Sequence, residues 1–305
     1  MRLSRFVPGL KWFEYISIRF AAGTLNLLPV ESATWVARRV GDLLYFLMRK
    51  RRQTAFENIS IAYGDSLSQS QKKRLVRVSF QNVSVSLVEF FRIPRMLAES
   101  KSRFAFEGTE HLDRAFADGK GVILVISHLG SWEFLAFLPY LRGYPCSVVV
   151  RAVRNPHLYR YVQRLRRMTH LNPIDRKNSV REVLHQLRQN RLVAILIDQW
   201  AGPEGVWTEF FGEPTSTTAI PARLARRTGA SMVPAYCLRE RYGKYKIIIE
   251  PAVPLDTDSS GQEIQTTLRL NKNLETMILR FSDQWIWTHR RWKGLSRYGV
   301  VKTQC

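Results

Sequence analysis

From residue 120 onward the chain alternates short apolar, β-branched runs with amphipathic stretches, and few folds accept that pattern. The runs at 121–127 (GVILVIS), 147–151 (SVVVR) and 192–197 (LVAILI) are apolar almost throughout. Between them, 132–142, 156–169 and 179–189 read as amphipathic helices. A further helix over 217–228 closes at Gly229, and strands are expected near 231–237 and 245–250. A strand apolar on every residue must be covered on both faces. The expected class is therefore α/β, with a mainly parallel central sheet flanked by helices.

Upstream, 31–48 and 71–92 read as helices, the second with Leu75, Val78, Phe80, Val83 and Leu87 at helical spacing. No repeat and no linker rich in Gly, Ser or Pro divides the chain. The simplest organisation is one domain over 61–305 preceded by an N-terminal helical region over 1–60. In that region 43–48 (LLYFLM) runs straight into Arg49-Lys50-Arg51-Arg52. An apolar segment beside four cations suits an anionic membrane surface, where each charge contributes on the order of 1 kcal/mol. The plainer alternative is a core helix whose terminal cations favour its dipole. Glu14 and Arg19 interrupt the apolar N-terminus, so interfacial attachment is expected rather than a cleaved signal peptide or a clear spanning helix.

Charge narrows the partners. Lys and Arg number 47 against 25 Asp and Glu, a formal net charge of +22 that draws the protein toward polyanions: nucleic acid, anionic lipid or an acidic protein. The three cysteines, Cys146, Cys237 and Cys305, are odd in number and too scattered for a metal site, so neither a disulfide nor a metal is expected.

Ligands of such sheets gather beyond the carboxyl ends of the strands. Directly after the first run stands His128-Leu-Gly-Ser-Trp-Glu133, with Gly130 loosening the turn and Ser131 available as an N-cap. A carboxylate in the first helical turn is favoured by the dipole and can fix the imidazole tautomer, so Glu133 is expected to orient His128 as a general base. The similar His170–Asp175 spacing reads instead as a helix C-terminus, because His170 ends a helical pattern and Pro173 follows. A His–carboxylate pair without a matched Ser or Cys nucleophile suits activation of a substrate's own hydroxyl. Hydrolase signatures are missing: there is no GxSxG, no HExxH and no CxxC.

After the second run come Arg151 and Asn155, placed to bind an anionic substrate, while Arg160, Arg164 and Arg167 read as a solvated helix face. The third run ends in Asp198-Gln199, polar groups able to position a sugar or shape a donor pocket, and Trp207, Phe210 and Phe211 offer a lining for an acyl chain.

Together these blocks resemble the lipid A late acyltransferases, the lauroyl and myristoyl transferases of the wider lysophospholipid acyltransferase superfamily. The similarity runs through RQTAFENISIAYG at 52–64, HLGSWE at 128–133, Arg151 to Asn155, and Asp175-Arg176 followed by Arg181. It continues in DQWAG at 198–202, FFGEP at 210–214, TGASMVP at 228–234 and QWIWTHRRWK at 284–293. The resemblance implies a catalytic His128 with Glu133 as its relay partner, and substrate-binding roles for Arg151 and Asp198; Asn155, Arg181 and Gln199 complete the expected substrate-binding set. It implies no cofactor, an acyl-carrier-protein thioester as donor, and a phosphorylated, Kdo-bearing lipid A precursor as acceptor. The place would be the cytoplasmic face of the inner membrane, as a peripheral or single-pass protein. Two rivals stand beside this reading. One is a lysophospholipid or other glycolipid acyltransferase using acyl-CoA. The other is a nucleic-acid-binding protein, suggested by charge and by the aromatic and Arg residues interleaved in WIWTHRRWK, although no helix-turn-helix, RNP or zinc-finger pattern supports it.

Overall fold

The computed structural model describes residues 8–150, 152–175, 179–241, 243–256 and 261–293. Its centre is a seven-stranded sheet in the order β1-β9-β8-β2-β5-β3-β4. The strands are β1 (Phe104–Glu107), β2 (Val122–Ile126), β3 (Cys146–Val150), β4 (Asn172–Asp175), β5 (Leu192–Leu196), β8 (Ser231–Arg241) and β9 (Lys244–Ile249). Five neighbours, β8-β2-β5-β3-β4, run parallel; β9 turns back antiparallel on β8, and β1 pairs parallel with β9. The fold is thus the expected α/β class with a mostly parallel sheet. A separate antiparallel hairpin, β6 (Val206–Phe210) with β7 (Glu213–Thr217), lies between β5 and the helix α10 (Ile220–Thr228).

Every residue of β2 is buried. Its side chains alternate between two core layers: Ile123 and Val125 join one, while Val122, Leu124 and Ile126 join the other. Such a strand has no solvent face to offer, which is why it sits centrally with helices on both sides. Helices α8 (Pro156–Arg167) and α9 (Ser179–Arg188) follow the expected spans, and α10 ends at Gly229 with φ 74°. The helix expected over 217–228 starts later because 213–217 is strand. The single helix expected over 132–142 is instead a 3₁₀ turn, Trp132–Ala136, continued by α7 (Phe137–Arg142). Ser131 does not cap it, because its hydroxyl is taken by Glu89.

The N-terminal region forms α1 (Pro8–Leu27), α2 (Val30–Leu47) and α3 (Arg49–Tyr63), and the boundary expected at residue 60 falls inside α3. Helix α2 lies against α4 (Gln69–Phe91), a helix opened by a capping box between Ser68 and Gln71. Asp42 of α2 accepts from Arg77 at 2.6 Å and from Gln81 at 2.7 Å. The two charges that interrupt α1 hold it in place: Glu14 accepts from Asn155 at 3.0 Å, and the Arg19 guanidinium lies over the Tyr161 ring at 4.6 Å. Trp12, Phe13, Phe20 and Leu27 of α1 are exposed, as are Leu43, Phe46 and Leu47 of α2. No helix among the described residues is long and apolar enough to cross a membrane.

Candidate active site

Strands β2 and β5 pair in parallel with Ile126 opposite Leu196. His128 and Asp198 each stand two residues past those paired ends, so the register itself carries them to the same height at the sheet's carboxyl edge. His128 Nδ1 lies 2.8 Å from Asp198 Oδ1. Asp198 Oδ2 accepts from the His128 backbone N–H at 2.8 Å and from the Trp285 indole N–H at 3.0 Å. The Asp198 side chain is fully buried, and burial alone would raise its pKa. The charge and hydrogen bond of His128, its backbone N–H and the Trp285 N–H reverse that and bring it down to about 2. Burial likewise pulls His128 down, but the charge and hydrogen bond of Asp198 and the charge of Glu133 outweigh it, leaving its pKa raised. Asp198 is an acceptor at every contact, so Nδ1 carries the proton and Nε2 is the base.

The imidazole is 14% exposed and lines a cavity of about 240 Å³. Leu124, Ile126, Cys146, Val148, Leu171 and Ala194 form much of its wall. Because β2 and β3 run the same way, the cavity extends from the carboxyl edge at His128 to the opposite edge at Cys146, the first residue of β3. Trp132 meets the imidazole edge-on, with ring centroids 5.1 Å apart.

Glu133 also borders this cavity, but it is not the carboxylate bonded to His128. It receives the Arg166 guanidinium of α8 through both oxygens, at 2.7 and 3.2 Å. The partner of His128 expected from chain proximity is therefore replaced by Asp198. Glu133 acts on the imidazole only through space, as the weakest of the groups that raise its pKa.

The other expected residues separate. Gln199 is at the site, its amide nitrogen 3.4 Å from His128 Nε2, and it also lines a second apolar cavity of about 290 Å³ with Val183, Ile195, Trp200 and Leu224 on the other sheet face. Arg181 is exposed in the first turn of α9, whose neighbours Val180 and Val183 line that second cavity. Arg151 lies outside the described residues. Asn155 is buried and spent elsewhere: its oxygen caps α8 by accepting from His157 and Leu158, and its nitrogen donates to Lys11 O at 2.6 Å and to Glu14. It joins two helices and does not line the cavity beside His128. Phe210 and Phe211 pack on Trp292, away from that cavity. Arg160, Arg164 and Arg167 are exposed, as a solvated face requires.

Sequence reasoning missed a buried ion pair behind the His128 loop. Arg239 donates to both oxygens of Glu89 at 2.7 Å, and also to Ser86 and Ser131 at 3.0 Å; Tyr245 donates to Glu89 at 2.9 Å. Ser131 Oγ donates to Glu89 at 2.7 Å. Gly130 sits at φ 66° with Cys237 O where a Cβ would stand, so the loop passes only as glycine. Trp285, Trp287, Arg291 and Trp292 are buried as well, so the aromatic and cationic C-terminal segment is core and not a stacking platform.

What this assembly can do is remove a proton from a hydroxyl at the mouth of an apolar pocket. Comparison with known proteins identifies the family. The family described as bacterial lipid A biosynthesis acyltransferase matches residues 7–294. The chain is 27% identical over 285 residues to the lipid A biosynthesis palmitoleoyltransferase of Escherichia coli, 90% of each chain. It is 27% identical over 265 residues to that organism's lipid A biosynthesis lauroyltransferase, 83% of each. It is also 32% identical over 163 residues to a phosphatidylinositol mannoside acyltransferase of Mycobacterium tuberculosis, 51% of each.

Proposed function

Since this chain belongs to the bacterial lipid A biosynthesis acyltransferase family, we propose that it moves a fatty acyl group from an acyl-carrier-protein thioester to a hydroxyl of a phosphorylated glycolipid of the lipid A type. The observation that carries the reading is the buried Asp198 held 2.8 Å from an imidazole that opens on an apolar cavity.

His128 Nε2 takes the proton of the acceptor hydroxyl as its oxygen attacks the thioester carbonyl carbon. The imidazolium so formed is balanced by Asp198. As the tetrahedral adduct collapses, the C–S bond breaks and the thiolate recovers the proton from Nε2. An orienting carboxylate of this kind contributes through the tautomer and through the charge it balances. The cavity between His128 and Cys146 receives the donor's acyl chain, and the second cavity beside Gln199 accepts an apolar part of the acceptor. Both partners are acidic, in keeping with a net charge of +22. No cofactor or metal takes part in these steps.

The exposed apolar residues of α1 and α2, followed by the cations at 49–52, support peripheral attachment to the cytoplasmic face of the inner membrane. The direct test is mass spectrometry of membrane lipids from cells with and without the gene, and from cells carrying His128→Ala. A lipid A species lighter by one acyl chain in the last two is expected. Unchanged lipids with His128→Ala would refute the assignment.

A further inference from the structure

We propose that Arg291 is a positioning residue for the site, the central member of a clamp in which three side chains of the C-terminal segment hold Asp198, Gln199 and Trp200 one by one. The inference rests on the acyl-transfer reading above and goes beyond it, because neither strand pairing nor the His128 loop accounts for how the Asp198 loop is held.

The three contacts are distinct. Trp285 donates its indole N–H to Asp198 Oδ2 at 3.0 Å. Arg291 donates to Gln199 O at 3.2 Å. His289 Nε2 accepts the Trp200 backbone N–H at 3.2 Å. Burial keeps His289 neutral, its pKa lowered to about 4, so it serves as an acceptor over the working range.

Arg291 is the unusual member. It is 0% exposed, yet no ion pair among the described residues includes it. Its guanidinium donates to uncharged acceptors: Ser216 O at 3.0 Å and Thr217 Oγ1 at 2.6 Å besides Gln199 O, and it lies 4.7 Å above the Phe210 ring. A cation is expensive to bury, and the planar fork of Arg is the side chain able to bridge several carbonyls at once. What the fork joins is the loop after β5 and the end of β7. The carbonyl it takes belongs to the residue beside the His128 partner.

The clamp is fixed from behind. Asn58 of α3 donates to Trp287 O at 2.7 Å and His289 O at 2.6 Å, and Arg51 donates to Thr288 O at 3.2 Å. The segment that grips the loop is thereby tied to the helix that follows the exposed apolar face.

The test is Arg291→Gln in the full-length protein, assayed with an acyl-carrier-protein thioester and a phosphorylated glycolipid acceptor, alone and combined with Asp198→Asn. Acting through Asp198, Arg291→Gln lowers kcat about 30-fold with KM within twofold, and costs less than threefold more once Asp198 is already Asn. A side chain that merely supports the fold lowers the melting temperature but leaves kcat per folded molecule within threefold. That result, or a 30-fold loss repeated in full on top of Asp198→Asn, overturns the proposal. If Arg291→Gln does not fold, Trp285→Phe, which keeps a ring and removes one N–H, is judged by the same criteria. Full activity of Asp198→Asn alone would instead sink the general-base reading.

Discussion

Asp198 and His128 are 70 residues apart in the chain and 2.8 Å apart in the fold. The carboxylate reaches the ring because two parallel strands end level with one another, not because the two residues share a turn. Replacing Asp198 by Asn keeps the shape and loses the charge and the fixed tautomer. We expect kcat to fall about 10²–10⁴-fold with the melting temperature little changed, measured by steady-state acyl transfer and thermal unfolding.

The same pair sets the pH dependence. His128 must be neutral to act, and its pKa stands above the ordinary 6.5, so kcat/KM is expected to rise with pH through a midpoint above 6.5. Asp198→Asn removes the anion that outweighs burial, so the residual activity should titrate at lower pH than the parent. Glu133→Gln should move the midpoint less, since Glu133 is bonded to Arg166 and is the lesser contributor. An equal or larger shift from Glu133→Gln would reverse the ranking of the two carboxylates.

Glu89 and Arg239 are both nearly buried, so breaking their pair from one side strands a charge. Glu89→Leu is expected to cost about 3–5 kcal/mol in denaturant unfolding, and adding Arg239→Met should recover part of it. A double variant weaker than the single would show that the network matters for more than charge balance.

Cys146 stands at the far end of the cavity from His128. Cys146→Phe shortens the space available to an alkyl chain and should shift donor preference toward shorter thioesters, read from competition assays with mixed chain lengths. Unaltered preference would place the acyl chain elsewhere.

Phe20 of α1 and Leu47 of α2 are 77% and 67% exposed. Changing both to Glu should weaken co-sedimentation with anionic phospholipid vesicles at least several-fold and leave thermal stability intact, since neither side chain packs in the core.

Much of this architecture is legible in the sequence. The runs at 122–126 and 192–196 announce buried strands, and Gly229 marks the end of α10 where it was expected. Strands β1 and β4 are short and lack a β-branched run, and β4 contains Pro173, so nothing local announces them. The site was half legible. His128 and Asp198 both stand out, each two residues past an apolar run, but only knowledge that β2 and β5 are neighbours joins them. Without it, the nearer Glu133 takes the role. Asn155 misleads in the other direction, because a polar residue ending a strand looks the same whether it caps a helix or meets a ligand. Arg166, Arg239 and Arg291 are three of many arginines in a strongly basic chain, and only their partners in the fold distinguish them.

The indole of Trp285 completes the hydrogen bonding of a carboxylate built long before it in order of translation. A ribosome that stops short of this tryptophan releases every strand of the central sheet, yet no finished acid–base couple, because the His128 loop also bridges to this segment through Leu129 and Trp285. Premature termination before this residue should therefore yield an inert protein rather than a weakened one, a distinction that expression of chains ending before and after residue 285 would make visible.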